Sequence, residues 1–569
     1  MWCGVAQKLP GLSECPENRV RLILFSTMTS GRDQRWLAIA TTTVFAVSLL
    51  VGVRAASGVM LHYDIACFLL HAEAVDSGLR AYVDFFEINT PANIWLPYIA
   101  VKLSQVLPYY RADLLMALLV AFVVVCTAFT ILLIWQRLAA DFPITMIVAA
   151  TAVPYIYFCF PGFDFGQREP TFFAAMGPYA TIVVGRYLGK HPGRASAIGA
   201  GILSALGAAQ KPHFMILAGA IVFADLCLRH GKLRQLGTEA YTLSASLVLY
   251  VLLIVIVHTD YVTVMLPIAA KTYVPMAQPL DVATGRLGLK RVALFGAPIV
   301  ALLGFALWRR RTSAAIWPVA VLWCVAVFGT LGIYFGQSFG FRYQQLIFMP
   351  LLIVTCALAL AAAADDIARS VLTQARTSAM FASTASCALL CLAASLFVAH
   401  ALDTLDPGTT RQDVENDHIV RYFRDYPPGT PILWLGTNLP PWSPMYAYTN
   451  VRPTGRYATL LALRKVVDEL DEARAKGRPV EPAIADIEQK LRRYVLLSLE
   501  SEPKPEFVVV DVSKTVRWFE TYGKPFSLVS FFSEQPAFAR EWTHYRKVAD
   551  MPSMGFKVDI YRRNKDAGQ

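Results

Sequence analysis

The sequence predicts a polytopic α-helical membrane protein that ends in a small α/β domain, and three observations carry that reading. Of 569 residues, 56% are hydrophobic and 16% charged, with a mean hydropathy of +0.46, where a soluble chain carries roughly a quarter charged residues. Apolar runs of about 18–24 residues recur from residue 37 to residue 400, each able to cross a hydrocarbon core about 30 Å thick. From Asp403 onward the composition turns polar and proline-rich.

The elements follow in order. Residues 1–27 lack a signal-peptide core and a cleavage site, and Met28 before Thr29-Ser30-Gly31-Arg32 reads as a natural start. Residues 1–35 are therefore expected to be a cytoplasmic lead, in which 1–27 are either not native or a disordered extension. Basic clusters then mark one side of the membrane: Arg32 and Arg35; Arg186, Lys190 and Arg194; Arg229, Lys232 and Arg234; Arg309-Arg310-Arg311; Arg369 and Arg376. The positive-inside rule places them in the cytoplasm. Loops 58–90, 160–170, 259–290 and 335–343 then face outward.

Residues 197–228 lie between two such clusters, so they go out and return in two short halves. Their turn falls at Gln210-Lys211-Pro212-His213, which puts Lys211 at the outer mouth. Three apolar runs, 91–107, 112–135 and 143–159, separate two stretches assigned to the same side, so one of them does not cross fully. Pro154 singles out the third, because proline breaks the helical ladder. About eleven crossings plus one partial helix result, and the last span, 378–400, delivers residues 401–569 to the outer face. The cell inner membrane is the expected location.

In the last domain, Pro431-Ile432-Leu433-Trp434-Leu435 and Phe507-Val508-Val509-Val510-Asp511 read as buried strands, and 555–561 as a closing strand. Residues 457–475 and 481–498 read as helices. Trp434, Trp442 and Tyr446 read as core packing rather than sugar-stacking platforms. All ten cysteines precede residue 401, so this domain does without disulfides, and no cysteine spacing suggests a metal. Cys387 and Cys391 share a helix face as small packing residues. The net charge of +11 sits largely in loops next to spans, which argues against nucleic acid as a partner.

Chemistry concentrates in the outward loops. Asp64, Glu73, Asp76, Asp84 and Glu87 fall within two dozen residues of loop 58–90. A second group, Asp164, Arg168 and Glu169, ends at Pro170 where a span begins. Ionisable groups near hydrocarbon usually face a cavity or a partner. Asp64 also reads as a helix N-cap. Arg168 and Glu169 also read as local partners of Asp164, and Lys211 as a snorkelling lysine. Arg342-Tyr343 is a further cation-aromatic pair on the same side. The loop 259–290, with His258, Asp260, Lys271 and Tyr273 at hand, is long enough to gate a cavity.

In pattern the chain resembles the GT-C membrane glycosyltransferases, nearest the aminoarabinose transferases of lipid A and the protein O-mannosyltransferase-like families. The resemblance rests on Tyr63-Asp64, Asp76-Ser77-Gly78, Tyr82, Asn89-Thr90-Pro91, Glu169-Pro170, Gln210-Lys211-Pro212 and Arg342-Tyr343 before Pro350, in that order. It covers residues 36–400, the module expected to be catalytic. Ile65 stands where the families carry a second acid, and Asn-Thr-Pro replaces Lys-Pro-Pro.

The resemblance implies inverting transfer of a sugar from polyprenyl phosphate to an acceptor hydroxyl on the outer face. Asp64 is then the general base, Glu169 a second catalytic acid, and Lys211, Arg342 and Arg168 the phosphate holders. Asp84, Glu87, His62 and Tyr343 are weaker substrate-binding candidates, and His71 a weaker one still. A lipid, a glycan or a protein serves as acceptor, with membrane lipids around the chain. No cofactor is implied, and no ligand set argues for a divalent cation. The competing classes are a transporter or flippase, which should show repeats and interrupted helices in both halves, and a polymerase or ligase of lipid-linked saccharides.

Overall fold

The structure is a computed structural model; it describes residues 31–138, 143–276, 280–287, 313–337, 341–372, 410–513 and 526–564, with isolated positions between 292 and 300. The expected lead over residues 1–27, the cluster Arg309-Arg310-Arg311, Arg376, and the last span at 378–400 with Cys387 and Cys391 lie outside the described residues.

The helical part runs α1 (Gly31–Gly58), α2 (Tyr63–Asp76), α3 (Ala92–Ser104), α4 (Arg111–Leu138), α5 (Pro143–Pro154), α6 (Arg168–Tyr187), α7 (Arg194–Ala208), α8 (Pro212–Leu228) and α9 (Thr238–Val257). After two short helices, α10 (Leu266–Thr272) and α11 (Leu280–Leu287), come α12 (Ser313–Gln337), α13 (Arg342–Gln345) and α14 (Met349–Leu372). Among the described residues, five stretches are long and apolar enough to cross a membrane: 37–58, 111–136, 238–257, 317–337 and 342–362. Shorter apolar helices over 143–159, 194–208 and 212–228 accompany them.

Small residues let these helices close on each other. A Cβ on Gly207 would lie 2.6 Å from the Cβ of Ala175, and one on Gly201 2.7 Å from the Glu239 carbonyl. Helix α7 therefore sits backbone-close to α6 on one face and α9 on the other, the packing that membrane helices use where no hydrophobic drive separates them from lipid. Asp365 of α14 accepts from the backbone N–H of Ile144 and Thr145, at 3.0 and 2.9 Å, and so caps the start of α5.

Two of the three apolar runs, 91–107 and 143–159, hold only short helices. Helix α5 does end at Pro154 and passes into a π-turn, Tyr155–Cys159. Helix α3, however, has 13 residues, a rise of about 20 Å, and both of its ends meet the same side of the molecule. At its start, Thr90 donates to the carbonyls of Ala209 and Gln210. At its end, Lys102 and Gln105 hold Asp76, and the chain turns to Arg111, which bonds Glu73 and the Tyr446 hydroxyl of the C-terminal part. Apolar content alone had hidden this return.

The C-terminal part holds a five-stranded sheet in the order β2-β1-β3-β5-β4. β1 (Pro431–Leu435) pairs in parallel with β2 (Arg452–Pro453) and β3 (Phe507–Asp511), while β5 (Phe556–Arg563) runs antiparallel to β3 and to β4 (Tyr545–Ser553). β1 and β3 are continuous apolar runs, buried along nearly their whole length as strands inside a covered sheet are. Long helices α15 (Leu463–Lys476) and α16 (Pro482–Glu500) lie close to their expected positions. The first starts six residues late because Tyr457 pairs with Phe86 of the outward loop. Trp434 and Trp442 stack at 6.1 Å in the core, and both are buried with Tyr446. One continuous hydrophobic cluster runs from the helical part into the sheet.

Candidate active site

The helix ends on the sheet side surround a cavity of about 1680 Å³. Asp64, Glu87, Arg168, Lys211 and Tyr343 line it, and 437–440, 458–459 and 554–556 of the C-terminal part form the opposing wall. Four loops assigned to one side from charge alone thus converge on one space.

Asp64 reaches that space because it is not a cap. The N-cap of α2 is His62, whose Nδ1 accepts from the Asp64 backbone N–H at 3.1 Å. The Asp64 carboxylate is left free to project from the first turn, where the helix dipole favours negative charge. Its Oδ2 accepts from Gln167 Nε2 at 2.9 Å.

The start of α6 sends three consecutive side chains in three directions. Gln167 goes to Asp64 and His62. Arg168 donates to the Asn89 side-chain oxygen and lies over the Phe68 ring at 5.4 Å. Glu169 pairs with Lys211, 2.5 Å from its Nζ, and both side chains are buried. The expected local pairing of Arg168 and Glu169 with Asp164 is absent. Asp164 instead lies 3.5 Å from His62 Nε2 and 3.7 Å from Arg342.

Lys211 sits between α7 and α8 as expected, with Pro212 starting α8. Its ammonium lies 5.6 Å from the Phe214 ring and 5.5 Å from the Tyr343 ring. Burial, with the Arg168 guanidinium adding to it, pushes Lys211 down to about 8. The turn is fixed from below: Asn93 Nδ2 and Thr90 Oγ1 both donate to the Gln210 carbonyl.

Several expected site residues stand elsewhere. Glu169 is not on the cavity wall; it backs Lys211 and touches no open space, so a direct catalytic part does not fit it. Arg342 is half exposed, faces Asp164 and is not among the lining residues. Asp84 turns outward and pairs with Arg80. His62 is buried behind Asp64, and burial pushes it down to about 4, which leaves it neutral. Glu87 does line the cavity, but in an ion pair with His71, 2.5 Å apart. Burial raises Glu87, while His71 and the Asn89 hydrogen bonds lower it further, so it titrates below the usual range. Tyr261, Tyr273 and Arg286 of the loop 259–290 line the cavity.

Sequence reasoning passed over Gln167 and Asn89 as functional groups. Asn89 receives Arg168 on its oxygen and donates its amide to Glu87, at 2.6 Å. Both are neutral amides, so the charge pattern gave no signal for them. Among the described residues no group of three or more His, Cys, Asp or Glu side chains is placed to hold a metal ion.

The fold is that of solved GT-C membrane proteins. The solved structures it is similar to include ArnT, an aminoarabinose transferase, from Cupriavidus metallidurans bound to undecaprenyl phosphate: TM-score 0.52, 12% identity, 93% of this chain and 99% of that one covered. The same protein in the apo state gives 0.49 at 12% identity, over 91% and 97%. An oligosaccharyltransferase from Archaeoglobus fulgidus tethered to an acceptor peptide gives 0.46 at 11% identity, over 92% and 74%. At these identities the likeness speaks of the fold. No family model matches the chain, and no curated protein matches it either.

Proposed function

We propose that this protein is an inverting glycosyltransferase that moves a sugar from a polyprenyl-phosphate donor to an acceptor hydroxyl at the outer face of the membrane. The observation that carries the reading is the placement of Asp64 and Lys211 on one cavity, with Arg168 beside them. In this reading Asp64 takes the acceptor hydroxyl proton. The acceptor oxygen attacks the anomeric carbon, the bond to the phosphate oxygen breaks, and the electron pair leaves with the phosphate. Lys211 and Arg168 stabilise that developing charge in a site shielded from bulk water. Phosphate needs no general acid to leave.

Glu169 holds Lys211, and Tyr343 shapes the phosphate end. The helical module spans the membrane about eleven times, with α3 lying on the outer side. The 401–569 part roofs the cavity there, and the basic clusters face the cytoplasm. The resemblance to ArnT in fold supports the donor class; the acceptor is a lipid, a glycan or a protein.

The test is sugar transfer from a polyprenyl-phosphate donor by purified protein. Asp64→Asn should lose about 10²–10⁴-fold in turnover, the usual worth of a general base. Near wild-type turnover in a folded Asp64→Asn would overturn the assignment. Unchanged donor affinity in Lys211→Ala would separately remove the phosphate role.

A further inference from the structure

We propose that Gln167 is a positioning residue for Asp64: one amide N–H, with the other engaged by His62, holds Oδ2 and leaves Oδ1 to receive the acceptor proton. The inference rests on the transfer reaction proposed above.

The geometry allows one arrangement. His62 Nδ1 already accepts from the Asp64 backbone N–H, so its proton sits on Nε2, toward Asp164. Gln167 Nε2 lies 2.7 Å from that Nδ1 and 2.9 Å from Asp64 Oδ2. The two nearest neighbours are acceptors, with His62 Nε2 farther off at 3.3 Å, so the amide nitrogen, with its two protons, faces them. A flipped amide would set its oxygen against a carboxylate. Among the described residues no hydrogen bond reaches Asp64 Oδ1, and Asp64 lines the cavity.

Burial sharpens the argument. Gln167 is wholly inaccessible, and its Oε1 has no partner. An orphaned buried oxygen costs about 1–3 kcal/mol, so a residue serving only packing here would be apolar. What the position gains in exchange is a pair of N–H donors aimed at His62 and Asp64. His62, neutral and wedged between Asp164 and the amide, keeps the second proton of Nε2 engaged and so fixes the first on Asp64. The titratable groups that act on Asp64 from the surrounding elements are His62, Cys67, Asp164, Arg168, Lys211, Tyr273 and Tyr343.

The experiment uses the full chain in detergent with Gln167→Leu and Gln167→Glu. Carbodiimide modification of Asp64, followed across pH by peptide mass spectrometry, reads the protonation midpoint without requiring turnover. Loss of the donor should raise that midpoint by about half a unit or more in Gln167→Leu, and the added carboxylate should raise it by at least about one unit in Gln167→Glu. Turnover should fall at least about tenfold in both with the donor KM unchanged, and its acid limb should move up with the midpoint. If Gln167→Leu does not fold, Gln167→Glu, which keeps the side-chain size, carries the test. A midpoint that stays within about 0.3 unit of wild type in the folded variants overturns the inference. A moved midpoint with no sugar transfer by wild type leaves the clamp standing and removes the transfer reaction instead.

Discussion

The pair Lys211–Glu169 offers the sharpest separation of stability from function. Its side chains are 10% and 1% exposed, and Glu169 Oε2 has no hydrogen-bond partner. Replacing Lys211 by Met strips the remaining oxygen as well and leaves a buried uncompensated charge. Such truncations cost about 3–5 kcal/mol. Glu169→Met does the same to the ammonium, except that the faces of Phe214 and Tyr343 recover part of the loss, about 1–2 kcal/mol for a desolvated cation over rings. Glu169→Met should therefore be the milder single variant. The double variant replaces an ion pair by two apolar chains of similar length, an exchange that is often neutral. It should unfold within about 2 kcal/mol of wild type, which makes the coupling between the two sites several kcal/mol.

Unfolding in detergent and binding of polyprenyl phosphate are then measured on all four proteins. The double variant should regain stability without regaining affinity, because a phosphate loses a charge-assisted bond worth about 1.5–3 kcal/mol, or roughly tenfold to a hundredfold. Additive destabilisation would refute the pairing. Wild-type affinity in either Lys211 variant would refute the phosphate role, whatever the unfolding data say.

Three further outcomes follow from single groups. Lys211 lies near 8 because it is buried beside Arg168, so affinity for polyprenyl phosphate should fall as pH rises through that value; Lys211→Arg should flatten the profile between pH 7 and 9, and a wild-type profile already flat there speaks against it. Burial, only partly offset by Arg342, raises Asp164 to about 7. The folded state therefore holds a proton that the unfolded chain releases, and stability declines from about pH 4 to about pH 7 and is level above. In Asp164→Asn that slope disappears, so the variant's melting temperature should gain on wild type between pH 5 and pH 8; an unchanged difference refutes it. Gly207→Ala puts a methyl 2.6 Å from Ala175 Cβ, and overpacking of about 1–3 kcal/mol should lower the melting temperature with turnover per folded molecule retained.

Much of this was legible in the sequence, and the illegible parts share a cause. Lys211 could be placed at a helix-helix turn because two basic clusters fenced a stretch too short for one long span and just long enough for two short ones. The strands Pro431–Leu435 and Phe507–Asp511 announced themselves as β-rich apolar runs in polar surroundings. Asp84 and Glu87, by contrast, look alike in sequence, three residues apart in one acidic strip. The chain around them is irregular, with Tyr82 just before at a positive φ of 69°, and no periodicity tells which side chain turns in. The same limit hid the return of α3. Composition reports that a segment is apolar, while Asp76 with Lys102, and Arg111 with Tyr446, decide where its ends lie.

The placement of charge explains why the holders matter as much as the groups they hold. The core of the site sets the carboxyl groups of Asp64 and Glu169 against Arg168 and Lys211, with His62 neutral. In the proposed reaction a phosphodiester with one negative charge becomes a monoester with two, while Asp64 loses its charge to the incoming proton. The total does not change; one negative charge moves from Asp64 to the phosphate. The barrier is then set by how well the two ends of that displacement are fixed beforehand, since reorganising dipoles during the step is what an arranged site avoids. Gln167 fixes one end, and Asn89 and Glu169 fix the other by holding Arg168 and Lys211. A chain could keep every charged group of the site and still lose the reaction by losing the two neutral amides.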